Sequence, residues 1–149
     1  MSKASGKTPG TIIEALQAYL DACPLLKGRR LRVDYLPSGP PEYMISPTPG
    51  DEILKRYCRG AAQKQYLFVL ASVHWYGEDE LTNLENSGFY EKLAGWMRQK
   101  TRQRALPQLP AGCTAQSLEP VSTGYLYNAT ATEARYQIQC RLIYYDKGV

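Results

Sequence analysis

A single histidine, His74, serves all 149 residues. One imidazole excludes any two-histidine metal site and the histidine-rich zinc arrangements. His74 continues an apolar strand pattern and reads first as a satisfied sheet residue, since a general base needs a nucleophile within hydrogen-bond reach. The four cysteines, Cys23, Cys58, Cys113 and Cys140, are widely spaced and form no Cys-x-x-Cys. With nothing resembling a signal peptide, they read as reduced thiols of a protein made in a cytoplasm. No apolar run approaches the ~18 residues of a membrane helix, so no membrane partner is expected. Repeats and low-complexity tracts are missing as well.

Charge is modest, at +4 from 18 Lys and Arg against 14 Asp and Glu. Part of it lies in Lys27-Gly-Arg-Arg-Leu-Arg32 and in Arg98, Lys100, Arg102 and Arg104. Such runs are usually solvated faces, and a sequence-specific nucleic-acid reader would add a larger basic excess and interleaved stacking aromatics. Gly6-Lys-Thr8 echoes the end of a phosphate-binding loop but lacks the upstream glycine and the preceding strand, so a flexible tail explains it better. Asn128-Ala-Thr130 matches a glycosylation acceptor that has no meaning without secretion. Asp51-Glu52 and Asp79-Glu80 are sequence neighbours that point apart in extended chain, and read as turn and cap residues. Cys58 and His74 are the one pair that could form a thiolate–imidazole couple, and nothing in their spacing favours it. No catalytic residue, metal or cofactor is expected, and a small Cys/His enzyme is a weak alternative.

Tyrosine is what the chain has in excess: 12, against 2 Phe and 2 Trp. An apolar ring with a hydroxyl suits half-wet surfaces, including protein interfaces, and equally suits the flanks of a sheet. The length fits one domain, 11–149, behind a small polar tail at 1–10. Residues 133–145 organise the rest. Tyr136, Ile138, Cys140, Leu142 and Tyr144 fall on one side, and Gln137, Gln139, Arg141 and Tyr145 on the other, with Ile143 the one aliphatic intruder. That period of two predicts a long half-buried strand whose register is firmly set. Gly124-Tyr-Leu-Tyr127 and the polar run 128–132 predict the first arm and turn of a hairpin ending in it.

Upstream, Thr11-x-x-Glu14 opens a helix with Ile12, Ile13, Leu16, Tyr19 and Leu20 on its apolar face, closed by Pro24. Residues 31–35 predict a strand, 37–41 a Pro-rich turn, and 43–46 a short return strand. Pro47-Thr-Pro-Gly50 belongs outside the sheet or at its edge, because proline has no donor for the ladder. A strand over 53–57 and a turn at Arg59-Gly-Ala-Ala follow. Residues 66–75 carry Tyr66, Phe68 and Leu70 on one side and Leu67, Val69, Ala71, Val73 and Trp75 on the other. A strand apolar on both faces is central and covered twice. With only two convincing helices available, one cover is expected from another subunit. The second helix is expected after an irregular turn at 80–85, capped by Ser87, with Phe89, Leu93, Trp96 and Met97 as its apolar face. Its basic far end suits the macrodipole. Residues 115–121 supply a strand leading into the final hairpin.

Ser46-Pro-Thr-Pro-Gly-Asp51, Glu85-Asn-Ser-Gly-Phe-Tyr90, Thr114-Ala-Gln-Ser117, Thr123-Gly-Tyr125 and Ala134-Arg-Tyr-Gln-Ile-Gln-Cys-Arg-Leu-Ile-Tyr-Tyr145 resemble a family of small proteins of long-tailed phages. The family, usually labelled minor capsid or tail-terminator-like, occurs in phages and prophages of Gram-positive bacteria. The similarity runs from about Thr11 to Tyr145; the 1–10 tail and Cys58 lie outside it. The resemblance implies an α+β fold, a mostly antiparallel sheet of about five to six strands with two main helices packed on it. It implies a virion protein, assembled in the bacterial host cytoplasm, that forms a hexameric ring at the head–tail junction. Tail-tube protein and the head connector or completion protein would be its partners, with DNA passing through the ring passively. It supplies no catalytic residues. A closing ring needs a heterologous surface. Three regions combine turn chemistry with exposed groups: the loop holding Pro47, Thr48, Pro49 and Asp51, the helix entry with Asn86 and Tyr90, and the hairpin with Thr123, Tyr125 and Tyr127. Arg141, on the polar side of the last strand, is a fourth candidate. A monomeric head–tail adaptor or minor capsid protein of the same virion is the alternative.

Overall fold

The computed structural model describes residues 9–26, 30–34, 42–75 and 80–148, with the side chains of the second helix from residue 88 onward. Helix α1 (Ile12–Asp21) begins where the sequence says it should: the Thr11 hydroxyl accepts the Glu14 N–H at 3.2 Å. The returning half of the capping box goes one residue early, to the N–H of Gly10 rather than of Thr11. Helix α1 ends at Asp21, and Pro24 opens a 3-10 turn, Pro24–Leu26. Strands β1 (Leu31–Val33), β2 (Glu42–Pro47), β3 (Ile53–Arg56) and β4 (Ala62–Trp75) precede helix α2 (Glu80–Arg102). Strands β5 (Cys113–Pro120), β6 (Tyr125–Ala129) and β7 (Glu133–Asp146) follow.

These seven strands form one sheet. Strands β4 and β7 are its axis, antiparallel and in register from Ala62 opposite Asp146 to Trp75 opposite Glu133. Strands β2 and β3 share the far side of β4, while β5 and β6 share the far side of β7. The fold is α+β with two helices and a mostly antiparallel sheet, as expected, but the sheet has seven strands rather than five or six, because short β3 and β6 add to the flanks of the long β4 and β7. One pair departs from that pattern: β1 runs parallel to β2, Leu31 opposite Tyr43, so 43–46 is not a return strand. Alternation marks a strand but carries no information about its direction. The Pro-rich turn at 37–41 lies outside the described residues. Thr48 N–H donates to Leu67 O at 2.9 Å, so the preceding Pro47 turns its donor-less nitrogen away from β4, past the end of β1.

Both described helices lie on one face. Phe68, Leu70, Ile138, Cys140 and Leu142 of the axis pack there against Leu16 and Leu20 of α1 and Leu93 and Met97 of α2. Helix α2 is longer than the spacing implied: it is continuous from Glu80, so Ser87 is not its cap. Its described buried face is Tyr90, Leu93, Ala94 and Met97, spaced i, i+3, i+4 and i+7, and Phe89 is only half-buried beside it.

The opposite face corrects the expectation of a covering subunit. Val69, Ala71 and Val73 of β4 are 7%, 2% and 8% exposed within the single chain. On β7 they lie opposite Gln139, Gln137 and Arg135, and Met44 of β2 flanks Ala71 on the other side. Long side chains on neighbouring strands shelter small aliphatic ones between them, so this apolar row does not by itself require a second copy.

One edge is protected from within. Leu118 of β5 turns a backbone N–H and C=O outward, and the Thr101 hydroxyl of α2 serves both, accepting at 3.0 Å and donating at 2.9 Å. A helix side chain thus takes the place of a neighbouring strand. Thr101→Val is expected to orphan both groups and cost about 1 kcal/mol, read as a lower midpoint in chemical denaturation.

At the C-terminal end Asp146 accepts Gly148 N–H at 2.9 Å and the Lys64 ammonium at 3.0 Å. These two donors, the backbone one first, hold its carboxyl below the usual carboxylate range. A depressed folded-state pKa contributes stability above the unfolded value and loses it as pH falls through the folded one. The stability gap between wild type and Asp146→Asn is therefore expected at neutral pH and should close as the solution is acidified below about pH 4.

Candidate functional site

The interior junction of β4, α2 and β7 holds the most polar side chains of the core. Ser72 is fully buried, and its hydroxyl meets both the Tyr90 hydroxyl and His74 Nε2, the latter at 2.7 Å. Tyr90 in turn donates to the Tyr136 carbonyl at 3.1 Å. A carbonyl cannot donate, so the only Tyr90 proton is spent there. Ser72 must then give its proton to Tyr90, and its oxygen accepts from a protonated His74 Nε2. In this arrangement the imidazole donates to the serine and cannot deprotonate it. Proximity of Ser72 and His74 therefore makes no nucleophile–base couple. Burial drives the Tyr90 hydroxyl pKa up, with the Ser72 hydrogen bond pulling the other way. Rings of Tyr43, Phe89 and Tyr136 surround His74 with centroids at 6.0, 6.0 and 5.9 Å, which makes it a sheet residue packed in aromatics.

Cys58 cannot reach this place. It sits in the turn before β4, and the twelve steps from Ala62 to His74 at about 3.3 Å each span roughly 40 Å. The Cys58–His74 couple is thus removed by geometry. Among the described residues no group of three or more His, Cys, Asp or Glu is placed to hold a metal ion.

The surface candidates separate. Pro47, Pro49 and Asp51 are exposed and Thr48 half-buried, on a loop pinned to β4 where Gln65 donates its side-chain amide to Asp51 O and its backbone N–H to Glu52 O, both at 2.7 Å. Asn86 lies within α2, and its side chain falls outside the described residues. Tyr90 is corrected: at 2% exposure it is a core residue and presents nothing to a partner. Thr123 is exposed, and with Tyr90, Glu91, Ala94, Arg98, Ser122, Gly124 and Ile138 it borders a cavity of about 300 Å³. Tyr125 is half-buried and accepts from the Gln137 amide at 2.6 Å, which explains how a glutamine expected on the wet side is buried. Arg141 is engaged within the chain, through Nε and Nη2 to Glu119 Oε2 at 3.1 and 3.0 Å, with Nη1 toward Gln65.

Tyr127 is the exposed aromatic among the candidates, 59% exposed, with the Arg135 guanidinium 4.8 Å from its ring centroid. Near it lie two residues that sequence reasoning did not single out. Trp75, 57% exposed, ends β4 opposite Glu133, and Leu126, 45% exposed, pairs with Tyr136 just before a bulge. Arg135, over the Tyr127 ring, has its Nε buried with no hydrogen-bond partner among the described residues, and by the pairing register Leu126 lies on the other face of the sheet, with Tyr136. Trp, Tyr and Arg are the residue types that dominate binding energy at protein interfaces. The signal for Trp75 was its position as the last residue of a buried strand; Leu126 could not be found, since the bulge between Leu126 and Asn128 resets the alternation. Compared with models of known protein families and with curated proteins, the chain matches none.

Proposed function

We propose that this protein is a structural part of a long-tailed phage or prophage virion, closing into a ring at the head–tail junction that ends the tail tube and joins it to the head connector. The observation that carries the reading is where the resembling segments fall. Those at 85–90, 123–125 and 134–145 are far apart in sequence and meet at Tyr90, which touches Gly124 and donates to Tyr136 O. The segment at 114–117 joins the same ladder through β5 and β7. Segments shared with a family and packed on one another are what a common fold requires. Exposed Trp75 and Tyr127 add groups of the kind enriched at protein interfaces.

The second reading, a monomeric adaptor of the same virion, draws on the sealing of Val69, Ala71 and Val73 inside one copy. Imaging of tail tubes assembled with and without the protein separates the two. A terminator gives tubes of arrested length, each ending in a ring of this protein. An adaptor leaves tube growth unchecked and scatters in solution with a radius of gyration of about 15 Å.

A further inference from the structure

Helix α2 is charged in two blocks. Residues 76–91 hold five acids and no Lys or Arg, whereas 92–104 hold five Lys or Arg and no acid. Over the 23 residues of the helix, about 34 Å, the charge reverses end to end. The macrodipole accounts for only part of this, because its effect fades beyond the terminal turn. Lys100 and Arg102 lie in that turn; Lys92 and Arg98 precede it and Arg104 follows it. Nor does the pattern help the helix itself. Opposite charges four apart stabilise a helix, yet Arg98 and Arg102 are four apart and alike. Arg98, Arg102 and Arg104 are exposed, and none of the ion pairs found among the described residues uses them. Arg98 also borders two surface depressions, of about 300 and 340 Å³, floored in part by Ile138 and Leu118. The cations therefore stand around apolar relief rather than on a flat solvated face.

We propose that the basic end of α2 docks on the acidic first half of α2 in a second copy, head to tail; this inference rests on the ring reading and names the contact that closes the ring. The chain carries both complements along one helix, acids in its first half and cations in its second, which is the charge complementarity a heterologous contact uses. A nucleic acid is disfavoured as occupant, since among the described residues the aromatic beside these cations, Trp96, is half-buried under Lys100 rather than an open stacking platform. Pairing two helices antiparallel would satisfy the same charges but stop at a dimer.

The test is a charge swap on the full chain, with assembly followed by sedimentation velocity and folding by circular dichroism. One variant carries Arg98→Glu and Arg102→Glu, the other Glu80→Lys, Glu85→Lys and Glu91→Lys. The wild type is expected to form rings that dissociate as salt rises. Each variant alone should stay folded and lose association by roughly 10- to 100-fold, and an equimolar mixture should recover rings by alternating the two. Rings that persist in both variants alone would overturn the contact while leaving the ring standing. A wild type that stays monomeric both alone and with tail-tube protein would overturn both. A species that stops at two copies, or a mixture of folded variants that fails to assemble, would overturn the head-to-tail arrangement.

Discussion

Replacing Tyr90 by alanine is expected to cost about 3–5 kcal/mol, a large share of the roughly 5–15 kcal/mol that holds a domain folded. The ring is 2% exposed and leaves a cavity that β4, α2 and β7 cannot all close on at once. It packs edge-on against Phe89 at 5.0 Å and near Tyr136 at 6.3 Å, so its loss is felt on both sides. Tyr90→Phe isolates the hydroxyl. The ring survives, but the buried Ser72 proton loses its acceptor and Tyr136 O loses a donor, worth about 1–3 kcal/mol. Adding Ser72→Ala to Tyr90→Phe should cost less than the two changes summed, because the Ser72 proton that Tyr90→Phe strands is then gone. Urea denaturation of the four proteins measures this. A Tyr90→Ala protein as stable as wild type would mean that the side chain lies at the surface after all.

Gly124→Ala is the second large effect. A Cβ at Gly124 would lie 2.3 Å from Tyr90 Cβ and 2.5 Å from its Cγ, closer than real side chains approach. The atoms met are the root of an aromatic ring held in a packed core, so they cannot swing aside as a chain end would. By contrast, a Cβ at Gly50 would meet only the Leu67 Cδ1 tip, which can rotate away. Overpacking of this kind costs about 1–3 kcal/mol. The cost should fall in a Tyr90→Gly background, which removes the Tyr90 Cβ as well as the ring, and thermal melts of the single and double variants show whether it does. Equal costs in both backgrounds would locate the strain elsewhere.

The sequence made the sheet's axis legible because β7 alternates strictly and β4 is apolar on both faces. Those patterns follow from a backbone with period two and need no tertiary information. The helix α1 cap was readable for a similar reason, being settled within four residues. What stayed hidden depended on other parts of the chain. The first two turns of α2 lack apolar periodicity, so its start at Glu80 was not visible. Tyr90 stands three, four and seven residues before Leu93, Ala94 and Met97, and that spacing could have placed it in the core ahead of Phe89. The direction of β1 against β2 is not encoded in alternation at all. The shelter given to Val69 and Val73 by long neighbours comes from pairing register, which a single strand does not display.

For function, the sealed face shifts the weight. The Val69, Ala71 and Val73 row no longer argues for a partner; the weight passes to Trp75 at the open end of that row, to Leu126 and Tyr127, and to the two charge blocks of α2.

Native mass spectrometry of the 16.8 kDa chain, alone and with tail-tube protein, tests the ring most directly. Closure gives a single dominant assembly of fixed copy number, six in the resembled family, with few intermediates between it and the free chain. A monomer mass at every concentration, unchanged when tube protein is added, would contradict it.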